Sequence, residues 1–233
     1  MKLAIMQPYF FPYLGYFQLI HSCDSFVFYD DVQYIKGGWV NRNRIQYRGE
    51  VRYINAMIEG ASANKRINEL QVVENIRWKD KLLKNIESCY YRAPQFDQVF
   101  PLISEIVNTP FRSLSEFNIN GLKKLCKHLS IDKEFIVSSA AWDNDHLKGL
   151  DRVLDICKRL NCDFYINASN GRILYKKEDF EREHIRLAFI KMKDLTYNQS
   201  NTQFSDNLSI LDAMMYNDVT SMGHLLRSYT LEQ

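Results

Sequence analysis

Residues 2–29 read as strand, loop, helix and strand, and that order constrains the fold more than any other feature of the chain. KLAIM, residues 2–6, is a short apolar run suited to a buried strand. Pro8 and Pro12 then force an extended or turning segment. Leu14, Phe17, Leu19 and Ile20 fit a helix running to Ser22, and Phe26, Val27, Phe28 and Tyr29 form a second apolar run. Two strands joined by a crossover helix begin an α/β unit with a parallel sheet. Such sheets bind ligands beyond the carboxyl ends of their strands. That edge receives Gln7-Pro8-Tyr9 from the first strand and Asp30-Asp31 from the second. The N-terminus does not read as a secretion signal, because the prolines interrupt its apolar stretch and no small-residue cleavage site follows.

The remaining pattern extends the same class. Gly37-Gly38 breaks the chain, and IQYRGEVRYINAMI predicts two alternating strands around a turn at Arg48-Gly49-Glu50. EGASANKRINE is a polar loop. WKDKLLKNIESCYYR places Trp78, Leu82, Ile86 and Cys89 or Tyr90 on one helical face, and Pro94 ends it. Further helices are expected over 95–108, where Pro101 breaks or starts one, and over 113–129. IDKEFIVSSAAW contains a strand, 147–161 a helix, CDFYIN a strand, NASNGR a polar turn and RLAFIKM a strand. LSILDAMMYND is a final helix with Ser209 or Asn207 as its start cap. There is no repeat and no linker. The expectation is one α/β domain over 1–233, with a mostly parallel sheet, flanking helices and a helical insertion at about 65–130.

Composition excludes several function classes. Thirty basic against 28 acidic residues give a net charge of +2, so the chain is not built to grip DNA, although a local basic pocket for a phosphorylated ligand fits this balance. Five cysteines, at 23, 89, 126, 157 and 162, contain no C-x-x-C and read as reduced thiols of a cytoplasmic protein. The five histidines never pair at ligand spacing, so no metal site is expected. No run of about 18 apolar residues predicts a membrane span. P-loop, G-x-S-x-G, G-x-G-x-x-G and H-E-x-x-H motifs are all missing.

The densest polar cluster is YDDVQYIKGGWVNRNRI, which holds Asp30, Asp31, Lys36, Trp39, Asn41, Arg42 and Arg44. In an extended chain residues 41 and 43 face one way and 42 and 44 the other. Arginine forks suit phosphate or carboxylate, and asparagine amides read hydroxyls. Pairing of Asp30 or Asp31 with Arg42 or Arg44 to pin the loop weighs equally. In YINASNGR, Asn170 stands in a turn where backbone amides approach an anion, although a plain strand-to-helix turn has the same composition. His146 follows a predicted strand in a polar loop and is a better candidate acid or base than Cys23 beside His21, although a plain exposed loop histidine weighs more.

QPYFFPYLGYF, with DSFVFYDDVQYIKGGWVNRNRI behind it, resembles the WbqC-like family. WKDKLLKNIESCYYRAPQFDQVFPLI and LSILDAMMYND extend the resemblance over nearly the whole chain. Members of that family occur in bacterial clusters for O-antigen and other surface polysaccharides, and some have been suggested to be glycine transferases acting on an amino sugar. The resemblance implies an aminoacyl or acyl transferase that forms an amide on a nucleotide-linked amino sugar. In that setting Arg42 and Arg44, with Lys36 as a third cation, meet phosphate; Asp30 or Asp31 orients or deprotonates the amine; Gln7 and Asn41 position the sugar; and Tyr9, Tyr16 and Trp39 form walls. No cofactor is evident. The activated donor is an aminoacyl thioester on a carrier protein, a charged tRNA, or an amino acid plus ATP. Relatives commonly carry a Ser-Gly-Pro type turn where this chain has Asn167-Ala168-Ser169-Asn170-Gly171. The N-terminal unit is also similar to the start of the HIGH-motif nucleotidylyltransferases, with Tyr13-Leu14-Gly15-Tyr16 in place of H-x-G-H. Tyrosine donates a hydrogen bond but supplies no positive charge. Adenylate-forming or nucleotidyl-transfer chemistry, and a non-catalytic binding module of a polysaccharide assembly complex, are the alternatives.

Overall fold

The structure, a computed structural model, describes residues 1–193, 196–199 and 204–233. Ten strands are described: β1 (Lys2–Met6), β2 (Ser25–Phe28), β3 (Arg42–Tyr47), β4 (Glu50–Asn55), β5 (Ile58–Glu59), β6 (Gln71–Val72), β7 (Glu134–Val137), β8 (Phe164–Ala168), β9 (Arg186–Met192) and β10 (Tyr229–Glu232). The helices are α1 (Leu14–Ser22), α2 (Ile76–Tyr90), α3 (Phe96–Asn108), α4 (Leu114–His128), α5 (Ser138–Ala141), α6 (Gly149–Arg159), α7 (Lys177–Glu181), α8 (Ile210–Tyr216) and α9 (Val219–Arg227).

Six strands form the central sheet in the order β10-β9-β8-β1-β2-β7. All neighbours are parallel except β10, which runs antiparallel to β9 along the edge. Among the parallel strands the first lies between the second and the fourth. This is the order of a doubly wound sheet, whose switch point falls between β1 and β8. Alternation along the strands fills both faces. Ala4, Phe26, Phe28, Ile166 and Ile190 pack with residues of α1, α8, α9 and the β2–β7 connection. Leu3, Ile5, Val27, Tyr165 and Leu187 pack on the other face against Val153, Ile156 and Cys157 of α6 and Phe180 of α7.

The long connection between β2 and β7 carries the β3–β4 hairpin and the helices α2, α3 and α4. Asn75 and Ser113 cap α2 and α4 by accepting from the backbone N–H of Arg77 and Glu116. Pro101 neither starts nor ends a helix. It lies within α3, where its ring removes one backbone bond, and the buried face of Val99, Ile103, Ile106 and Val107 overrides that cost. The segment 177–181, α9 and β10 are elements that the sequence pattern left unread.

Candidate functional site at the switch point

The loop from Gln7 to Pro12 is tied down almost carbonyl by carbonyl. Tyr16 Oη donates to the Gln7 carbonyl at 2.8 Å, and Asn118 Nδ2 to that of Pro8 at 2.8 Å. Asn43 Nδ2 donates to Phe10 O at 3.1 Å, Ser209 Oγ to Phe11 O at 2.7 Å, and the Ile210 N–H to Pro12 O at 2.7 Å. Phe10 N–H in turn donates to the Trp39 carbonyl at 3.0 Å. Phe11 holds a positive φ of 40°, a conformation that persists in a non-glycine residue only where its surroundings fix it. Three distant sequence motifs therefore meet here: the proline-rich loop, the NRNR run through Asn43, and the LSILD segment through Ser209 and Ile210.

This loop forms one wall of a cavity of about 380 Å³ at the carboxyl ends of β1, β8 and β9. Tyr9, Tyr13 and Gly15 line that wall; Trp39, Asn43 and Arg44 form the second; Ala168, Ser169 and Asn170 face them from the end of β8. Ile190, Met192 and Asn207 complete the lining. A Cβ on Gly15 would lie 2.5 Å from Tyr13 Cε2 and 3.0 Å from Met192 Sδ, so the first turn of α1 reaches the cavity only because residue 15 lacks a side chain. No side chain caps α1, so its first amides keep the partial positive charge of a helix start.

Arg44 is the one cation lining the cavity among the described residues. Its guanidinium lies 5.4 Å from the Trp39 ring centroid, and Nη2 donates to Asn207 O at 3.2 Å. Its Nε is buried with no hydrogen-bond partner among the described residues. Burial raises the pKa of both Tyr9 and Tyr13, which keeps their hydroxyls protonated and able to donate. Across the cavity Asn167 shapes the β8 turn: Oδ1 accepts from the Ala168 N–H at 2.7 Å, and Nδ2 donates to Tyr165 Oη at 3.1 Å. A Cβ on Gly171 would come 2.9 Å from Asn167 Cγ, so this packing requires glycine there. Ser169 Oγ donates to Ile190 O and joins the turn to β9.

Of the residues singled out from sequence, the structure brings Tyr9, Trp39, Arg44 and Asn170 into this one cavity. Tyr16 lies behind it, buried, with its ring 5.5 Å from that of Tyr9. Gln7 is half-buried at the end of β1. Asn41 accepts from Tyr34 Oη at 2.8 Å and donates to Ala56 O at 3.3 Å, which pins its own loop. Arg42 folds back on the carbonyls of Gly37 and Gly38 and stacks 4.8 Å over Tyr53. Lys36 and His146 are exposed, each outside the lining.

The two aspartates lie elsewhere along the sheet edge. Asp31 and Arg152 form an ion pair with side chains only 4% and 3% exposed. Ser138 Oγ also donates to Asp31, while Arg152 Nε donates to Asn144 Oδ1 at 3.0 Å. Asp30 accepts from Ser115 Oγ and Ser139 Oγ, both at 2.8 Å, and from the Ser139 N–H at 3.1 Å. Burial pushes the Cys23 thiol up to about 12, which makes it an inert core residue. Among the described residues no group of three His, Cys, Asp or Glu side chains is arranged to hold a metal, and no helix is long and apolar enough to cross a membrane.

Tyr13, Gly15, Asn43, Ser169, Met192 and Asn207 line the cavity without having been marked from sequence. Tyr13 and Gly15 stood within the loop already under scrutiny. Asn43 and Ser169 belong to the NRNR run and the YINASNGR turn, whereas Met192 and Asn207 carry no local signal of a ligand site, because only the fold brings them to the same edge.

The model of the WbqC-like protein family matches residues 7–224. The chain is similar to the uncharacterized protein Rv1507c of Mycobacterium tuberculosis, at 27% identity over 217 residues, covering 91% of this chain and 92% of that protein. No solved structure matches it.

Proposed function

The chain belongs to the WbqC-like protein family, and from that premise we propose that the switch-point cavity binds the diphosphate and sugar of a nucleotide-linked amino sugar, on which the protein forms an amide by acyl or aminoacyl (glycyl) transfer in surface polysaccharide synthesis. One observation carries this reading. A half-buried Arg44, whose Nε has no hydrogen-bond partner among the described residues, and the uncapped first turn of α1 line the same cavity, at the point of a doubly wound sheet where phosphorylated ligands bind. Trp39 and Tyr9 supply flat walls for a base or a sugar ring.

Among the described residues the lining carries a cation and neutral donors but no carboxylate or imidazole. Its work in this reading is binding, orientation and hydrogen bonding to the oxyanion, for which the protonated Tyr9 and Tyr13 hydroxyls are suited. The amine attacks the acyl carbon, the tetrahedral intermediate collapses with cleavage of the acyl–leaving-group bond, and the amine proton leaves with the departing carrier thiolate, tRNA alkoxide or AMP, according to the donor. The donor would be a carrier thioester, a charged tRNA, or an amino acid activated with ATP. The test mixes the protein with a nucleotide-linked amino sugar, glycine and each donor system in turn, and weighs the products by mass spectrometry. A gain equal to one acyl group is expected with one donor. Unchanged acceptor mass with every donor, alongside measurable binding of the nucleotide sugar, would reduce the protein to a binding module.

A further inference from the structure

A second cavity of about 850 Å³ opens at the same edge of the sheet, at the ends of β2 and β7, and it shares no lining residue with the first. Asp30 follows β2, Val137 ends β7, and Ser139 and Ala140 lie just beyond it. The opposite wall comes from α4, through Ser115, Ile119 and Asn120, and from the turn at Asn68-Glu69. Asp30 braces this corner, because its oxygens take hydrogen bonds from Ser115 and Ser139 and tie β2 to α4 and to the exit of β7.

Two lining side chains have unmet hydrogen-bonding capacity. Asn68 Oδ1, an acceptor, and Asn120 Nδ2, a donor, are both buried without a partner among the described residues. Each such group is costly to bury unless something bonds to it. The charges around them number three acidic, Asp30, Glu69 and Glu116, against two basic, Arg112 and Lys123. That balance disfavours a phosphate or carboxylate. A ligand suited to the cavity must donate to one amide and accept from the other without net charge, which hydroxyl groups do. Ile119, Val137, Ala140 and Phe111 offer apolar surface to the C–H face of a ring.

We infer that the cavity between β2, β7 and α4 is a binding site for a neutral, polyhydroxylated sugar unit, read by Asn68 and Asn120. The inference goes beyond the nucleotide-sugar reading of the first cavity and does not depend on it. The test is a methyl NMR titration of the full chain with galactose, N-acetylglucosamine and a neutral disaccharide, with inorganic phosphate as the anionic comparison. Saturable shifts at Ile119 and Val137 are expected with at least one sugar and not with phosphate. Asn120→Asp, which replaces the free donor by an acceptor, should weaken binding at least about tenfold. Asn68→Ala, on a separate element, should do the same and stands in if the α4 variant fails to fold. Arg44→Ala should leave the affinity unchanged. Three results would overturn the inference: no shift with any sugar; shifts centred on Ile190 and Met192 and lost in Arg44→Ala; or phosphate saturating the Ile119 and Val137 signals.

Discussion

Two regions of one sheet edge use their charged residues in opposite ways. At β2 and β7, Asp31, Arg152, Asn144 and Asp155 form a closed network, in which Asn144 Nδ2 donates to Asp155 at 2.7 Å while its Oδ1 accepts from Arg152. At β1 and β8, Arg44 faces a cavity, has an aromatic ring beside it, and keeps a donor unmatched. The first arrangement holds the fold; the second is open to a ligand. Density of charge in the sequence does not separate the two cases. What separates them is whether the partners come from the chain itself.

The contrast is broken most severely on the closed side. Arg152→Ala leaves Asp31 buried beside Ser138 without its cation, and it should destabilise the fold by about 3–5 kcal/mol. Urea denaturation measures this; a loss below about 1 kcal/mol would mean that the network is not structural.

A third buried carboxylate sharpens the comparison through pH. Asp212 of α8 accepts from Tyr90 Oη at 3.0 Å. Burial raises its pKa to about 6, with hydrogen bonds from Tyr90, Tyr197 and Gln199 pulling against the rise. The folded value exceeds the unfolded one, so the folded state binds this proton more tightly. The stability it contributes is complete below about 4 and is lost as pH rises through about 6. Asp212→Asn should therefore be more stable than the parent at pH 7.5, by up to ~3 kcal/mol, and the gap should close near pH 4. Chemical denaturation of both proteins across that range checks the sign, and a gap independent of pH would contradict it.

Ser209 tests the scaffold of the open side. Its hydroxyl donates to Phe11 O and accepts from the Leu211 N–H, so one side chain fixes the loop and starts α8. Ser209→Ala leaves a buried carbonyl unmatched and removes a cap. A loss of ~1–3 kcal/mol is expected, with greater amide exchange over residues 9–15. Loss of stability without faster exchange in that loop would place the effect in α8 alone.

The sequence made the sheet legible where local pattern and burial agree. KLAIM, SFVF and RLAFIKM are apolar runs bounded by polar residues, and all three are strands of the central sheet. β10 escaped because Tyr229–Glu232 is a short edge strand, half exposed along its length, whose only signal is its pairing with β9. In the cavity, Tyr9, Trp39, Arg44 and Asn170 stood out as residue types suited to ligands. That Asp31 pairs with an arginine was legible, but the identity of its partner, Arg152 rather than Arg42 or Arg44, was not, for a different reason. Arg152 sits 121 residues away in a helix whose Val153, Leu154 and Cys157 mark the apolar side, and nothing local shows that the arginine too is buried.

The smallest effect on stability falls on the central claim. Arg44→Ala removes a cation–π contact and one hydrogen bond at a half-buried position, which is worth about 1 kcal/mol to the fold. Its effect should appear in binding. Calorimetric titration of the parent and of Arg44→Ala with a nucleotide-diphosphate-linked amino sugar measures it directly. Saturable binding by the parent, weakened at least about tenfold in a variant that still unfolds cooperatively, is the predicted result. Equal affinity in the two proteins, or no binding by the parent, would contradict the assignment of the switch-point cavity.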